Sequence, residues 1–192
     1  MPTIITLDDV LWIRGSLVRA HELANARFRE AFRPDLPPTA YLEMLANALF
    51  ETAQGVHLPA NGRVTYAIDG TAIAPKIPHV TIERTPAAVF EYWLLTSEIN
   101  ASAGWSMTDV IATPAEYDAA LRGMQQPQLV RALVGSLLPA AEWREDGTAS
   151  LEVTLYTRAQ EERIERRHLM LDTAQELHFH SRELLAEGLG GR

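Results

Sequence analysis

The chain contains no cysteine. That absence removes disulfides, thiolate nucleophiles, iron-sulfur clusters and cysteine zinc sites together, and it leaves the redox compartment unreadable from thiols. Lysine is almost absent as well: Lys76 is the only one, and arginine supplies every other permanent cation. A Schiff-base enzyme, a pyridoxal enzyme and a phosphate-loop NTPase each need a lysine. Lys76 sits in Ala74-Pro75-Lys76-Ile77-Pro78 with no glycine-rich loop before it, which argues against all three.

Long apolar runs are missing too. The most apolar late stretch, residues 129–141, is interrupted by Arg131 and Pro139 and is far short of the ~20 residues that a spanning helix needs. The opening Met1-Pro2-Thr3-Ile4-Ile5-Thr6-Leu7-Asp8-Asp9 has neither the basic region nor the apolar run of a secretory signal. A soluble, cytoplasmic protein without membrane partners is therefore expected. No catalytic signature stands out: His21-Glu22 lacks the second histidine of a zincin, and Ser136 lacks the second glycine of a nucleophile elbow.

What is present bounds the fold. With 192 residues, 47% hydrophobic and 22% charged, the chain can bury one good core, so a single compact domain over 1–192 is expected. A net charge of −8 opposes a nucleic-acid backbone as main partner, since phosphate binding needs a basic surface.

Residues 8–33 place Val10, Ile13, Leu17, Ala20, Ala24, Phe28 and Ala31 at helical spacing, with Thr6 or Asp8 as cap. Pro34-Asp35-Leu36-Pro37-Pro38 breaks the chain, and Thr39 opens a second helix ending before Gly55, so 1–55 reads as a helical hairpin. From Arg63 the period changes to two. Asp69-Gly70 and Asp146-Gly147 each join alternating segments, the strongest short hairpin signal, and 79–83 reads as another strand.

The run Val89 to Thr96 follows a helix-start pattern at Thr85-Pro86, but its β-branched and aromatic content favours strand. Trp105 to Ile111 reads as strand, Thr113-Pro114-Ala115-Glu116 as a capping box opening a helix to about Arg122, and Pro127 to Leu138 as a further helix. The sum is α+β: an N-terminal helical hairpin, then an antiparallel sheet with inserted helices over 63–187, then a flexible tail over 188–192.

One stretch offers a specific site. If Arg163 to Leu171 and Glu176 to Arg182 pair as strands, Leu169, Leu171, Leu177 and Phe179 share one face, and His168, Met170, His178 and His180 share the other. A register setting Arg163 opposite Glu183 is better than one stacking Arg166 on Arg182. Three imidazoles on one face could hold a zinc or iron ion with an open position, although Arg166, Arg167 and Arg182 suit an anion better. The rival is a final helix capped by Thr173-Ala174-Gln175-Glu176, in which His178 and His180 point ~200° apart and cannot share a ligand.

Aromatic residues on the presumed sheet, Tyr66, Tyr92, Trp93 and Trp105, could line an apolar concavity roofed by helices. Two functions follow. One is a non-catalytic small-ligand-binding or assembly protein, without cofactor, whose partner is a small apolar or anionic molecule, another protein or a second copy of the chain. The other is a small-molecule enzyme using histidine and carboxylate acid-base chemistry, with or without metal at His168, His178 and His180.

Overall fold

A computed structural model describes residues 1–70, 72–102, 108–158 and 162–188. Trp105 and most of the expected tail lie outside the described residues. Two compact units emerge: Leu11–Trp105, and Met1–Val10 together with Ser106–Arg192. The architecture is α+β, with helices first and an antiparallel sheet after them. No helix among the described residues is long and apolar enough to cross a membrane.

The helical unit is built on the expected hairpin. Helix α1 (Leu7–Ala31) starts at Thr6, whose Oγ1 accepts from the Asp9 N–H at 3.1 Å. Helix α2 (Ala40–Thr52) returns antiparallel: the Phe28 and Tyr41 rings meet edge to face at 5.5 Å, and Thr52 Oγ1 donates to Ser16 O at 3.1 Å. Beyond α2 come two short antiparallel pairs. Strand β2 (Val56–His57) pairs with β5 (Thr81–Ile82), and β3 (Thr65–Asp69) with β4 (Ala72–Lys76) around Gly70 at φ +59°, as the Asp-Gly signal requires.

Residues 89–96, expected as strand, belong instead to helix α3 (Pro86–Ser102). Thr85 Oγ1 accepts from the Ala88 N–H at 3.2 Å with Pro86 in the first turn, so the local start signal prevails. The β-branched and aromatic residues there reflect burial, since every residue from 88 to 95 is buried. A helix apolar all round carries no period that distinguishes it from a buried strand. Glu91, only 2% exposed, accepts from the Gln54 and Gly55 N–H groups, the latter at 2.7 Å, and ties α3 to the end of α2. Gly55 has no room for a side chain, because a Cβ there would lie 2.7 Å from the Ala88 Cβ.

The second unit centres on a meander of three long strands, β9 (Ala149–Arg158), β10 (Glu162–Leu171) and β11 (Leu177–Glu187). The outer edge of β9 pairs first with β8 (Ala140–Trp143) and then with β6 (Thr108–Val110). Strand β1 (Thr3–Ile4) extends the sheet beyond β8, and β7 (Gln128–Leu129) pairs with β11 only at Ala186 and Glu187. Helix α4 (Pro114–Gly123) has the expected capping box at Thr113 and Glu116. Its Tyr117 and Ala120 close a core with Ile111, Tyr156, Ile164 and Leu185.

The helix expected from Pro127 is absent. After β7 the chain runs irregularly across 130–139, turning at Gly135 with φ +85°. Tertiary partners replace helical ones: the Val130 and Arg131 N–H groups both donate to Leu185 O, and Arg166 donates to Val134 O at 3.0 Å and Ser136 O at 3.1 Å. A leucine pattern at helical spacing is outweighed here by Pro127, Gly135 and Pro139.

Candidate functional site

Residues 177–187 are strand, so the helical alternative for the histidine segment falls. The hairpin register pairs Leu171 with Leu177, Met170 with His178 and Leu169 with Phe179, the parity anticipated from the leucines. Between His168 and Leu169 the register then shifts by one, and His168 faces Ser181. His180 is the extra residue of this bulge and leaves the alternation that would have aligned it with the other two. The shift sets Arg166 opposite Glu183 and Arg167 opposite Arg182, and a second shift, between Ile164 and Glu165, brings Arg163 opposite Glu187 and not the anticipated Glu183.

Phe179 does not join the core. It is 58% exposed, whereas Leu169 and Leu171 are buried, because the outer side of β11 around it carries no further strand among the described residues.

The three histidines have separate company. His168 Nδ1 lies 3.5 Å from Glu152 Oε2, and His178 Nε2 lies 2.7 Å from Asp172 Oδ2. Among the described residues, the one group of three ligand atoms close enough for a metal is Asp172, Glu176 and His178, which includes neither His168 nor His180. Its geometry already has a local role: Asp172 Oδ1 accepts from the Ala174 and Glu176 N–H groups at 2.9 Å and so closes the β10–β11 turn. The His178 hydrogen bond, and these backbone donors after it, hold the Asp172 carboxyl below its ordinary range.

Arg166 is the centre of the second unit's polar chemistry. Only 9% exposed, it sits on β10 between Glu152 of β9 at 3.5 Å and Glu183 of β11 at 3.9 Å, while its two donated bonds hold the 130–139 segment. Arg131 donates to Glu183 at 2.7 Å from the other side. That hydrogen bond, with the charges of Arg131, Arg166 and His168 behind it, holds the Glu183 carboxyl below its ordinary value against the opposing pull of desolvation. On the opposite face the buried Glu165 pairs with Arg167 and lies 3.7 Å from Arg182. Arginines that suggested an anion site from sequence thus have carboxylate partners of their own.

Of the aromatic candidates, Tyr92 and Trp93 lie in α3 and are buried at 6% and 7% exposure, with Trp93 stacked on Phe90. They are helix core, not sheet lining. Tyr66 is different. It lies half-buried on β3, its N–H donating to Glu43 Oε1 at 3.4 Å, and its phenol is pushed up to about 12 by burial first and the Glu43 charge second.

Glu43 opens onto a cleft of about 560 Å³ in the helical unit. The end of α1, the 32–39 connection, α2 and Arg63 form its walls. Asn47 braces one wall by accepting from the Val64 N–H at 2.9 Å and donating to Val64 O and Glu43 O, which uses both of its amide hydrogens. Arg27 and Glu51 form a two-bond pair with both contacts at 2.7 Å, raising the arginine's pKa and lowering the carboxyl's through that hydrogen bond. Leu36, Ala40 and Met44 supply apolar surface. Nothing in the sequence pattern marked this cleft, because Arg27, Glu43 and Arg63 come from three elements and the Pro34 to Pro38 break reads only as punctuation.

A second pair, His21 Nε2 and Glu98 Oε1 at 2.8 Å, bridges α1 and α3 in the same unit, partly buried. The fold and site together define an α+β protein with an open cleft in its helical unit. Comparison with protein-family models, with curated proteins and with solved structures finds no match to the chain.

Proposed function

We propose that this chain is a non-catalytic small-ligand-binding protein whose site is the cleft between α1, α2 and Arg63. The observation that carries the reading is a concavity of about 560 Å³, a size in the range of small-molecule sites, combining an apolar side with a few convergent polar groups. Among the described residues Glu30 and Arg63 line it without an ionic partner. Both are exposed, so a ligand would compete for them with water and not with another side chain. Native mass spectrometry of protein purified from its own source tests this. A bound molecule of a few hundred daltons, absent from a Met44→Trp variant that fills the cleft, is the expected result; an empty wild-type protein counts against it.

A second reading rests on the His21–Glu98 pair, whose short contact at a half-exposed position is an acid-base arrangement. Under that reading a small-molecule enzyme uses His21 as base with Glu98 orienting it. An activity screen in which His21→Gln and wild type behave alike would remove it.

A further inference from the structure

We infer that the cleft selects a small organic amine with an apolar body. The inference rests on the ligand-binding reading and goes on to the chemistry of the ligand. Carboxylates outnumber guanidiniums around the cleft: Glu30, Glu43 and Glu51 against Arg27 and Arg63. Arg27 and Glu51 neutralise each other through two 2.7 Å bonds and leave Glu30, Glu43 and Arg63 to meet a ligand.

Glu43 holds the Tyr66 N–H with one oxygen at 3.4 Å, a weak contact for a carboxylate. Its charge is felt nearby, as the raised Tyr66 phenol shows after burial is allowed for. An ammonium between Glu30 and Glu43 would donate to both carboxylates the charge-assisted hydrogen bonds that the wall does not supply. Leu36, Ala40 and Met44 offer the apolar contact for the rest of the molecule. Asn47 cannot read the ligand with its amide hydrogens, because Val64 and Glu43 backbone carbonyls hold both; it positions the wall.

An amine can come as a plain alkylamine or as an amino acid, whose carboxylate would lie within the field of Arg63. Titration of the isotope-labelled full chain, followed by backbone amide shifts, separates them with three probes of one skeleton: isoamylamine, L-leucine and isovalerate. Saturable shifts at Glu43, Met44 and Tyr66 with isoamylamine or L-leucine, but not with isovalerate, are expected. Glu30→Gln combined with Glu43→Gln should weaken amine binding about tenfold, the loss of a charged hydrogen bond. If L-leucine binds more tightly and Arg63→Ala removes that advantage, the natural ligand is of the amino-acid kind; an advantage for isoamylamine assigns a plain amine.

Saturation by isovalerate alone would overturn the amine class and leave the ligand-binding reading intact. Silence from all three probes, with no small molecule in the source-purified protein, would overturn both. Folding of the double variant is checked by its retained amide dispersion, and Glu43→Asp, which keeps the charge, should retain binding.

Discussion

In the second unit Arg166 meets two carbonyls and two carboxylates, Glu183 meets two arginines, and Asp172 closes a turn while holding His178. In the helical unit, Glu30 and Arg63 line a cleft with no ionic partner among the described residues, and Glu43 gives one weak contact. The contrast separates two uses of charge. Buried or half-buried charges that satisfy one another hold strands and segments in place, and removing one strands its partners. Charges left facing a concavity contribute little to the fold and are available to a ligand.

The largest test of that contrast is Arg166→Met. It removes both donated bonds to 134 and 136 and leaves Glu152 and Glu183 facing each other across a buried position. A loss of roughly 3 kcal/mol in urea denaturation is expected, within the span for breaking a buried pair. A loss under about 1 kcal/mol would mean that the network is decoration.

Next comes Gly55→Val, whose Cβ would press on Ala88 at 2.7 Å where Glu91 binds the Gln54 and Gly55 N–H groups. Overpacking of this kind costs about 1–3 kcal/mol, measurable as a lowered Tm of the helical unit. Thr113→Ala follows, removing one half of the α4 capping box for about 1 kcal/mol.

The smallest effect is pH-dependent. The Glu183 carboxyl is held below its ordinary 4.5. Its contribution is fully present above that value and fades as pH falls through the lower folded-state value. Wild type should therefore lose stability on acidification below about pH 4.5 more steeply than Glu183→Gln; parallel curves would show that Arg131 and Arg166 do not act on it.

The helical hairpin, the two Asp-Gly turns and the Thr113 capping box could be read from the chain because each rests on local chemistry: a period, a turn dipeptide, a cap. Residues 89–96 could not, since a helix buried on every side has no polar face to give it a period. The 130–139 segment escaped for the opposite reason. Its leucines fit a helix, but its backbone bonds go to Leu185 and Arg166, which lie far along the chain. Parity of the β10–β11 leucines was legible; the bulge that removes His180 from the shared face was not, because one inserted residue leaves no local sequence mark. Nor was the cleft, whose polar groups meet only after α1 and α2 fold back on each other.

The most direct test of the proposed division of charges is the equilibrium stability of Glu30→Gln combined with Glu43→Gln, measured beside wild type in the same denaturant series. Stability unchanged or raised by up to about 1 kcal/mol is expected, since groups kept for binding commonly oppose the fold slightly. A loss greater than about 1 kcal/mol would contradict it, because those carboxylates would then be structural, like Glu152 and Glu183.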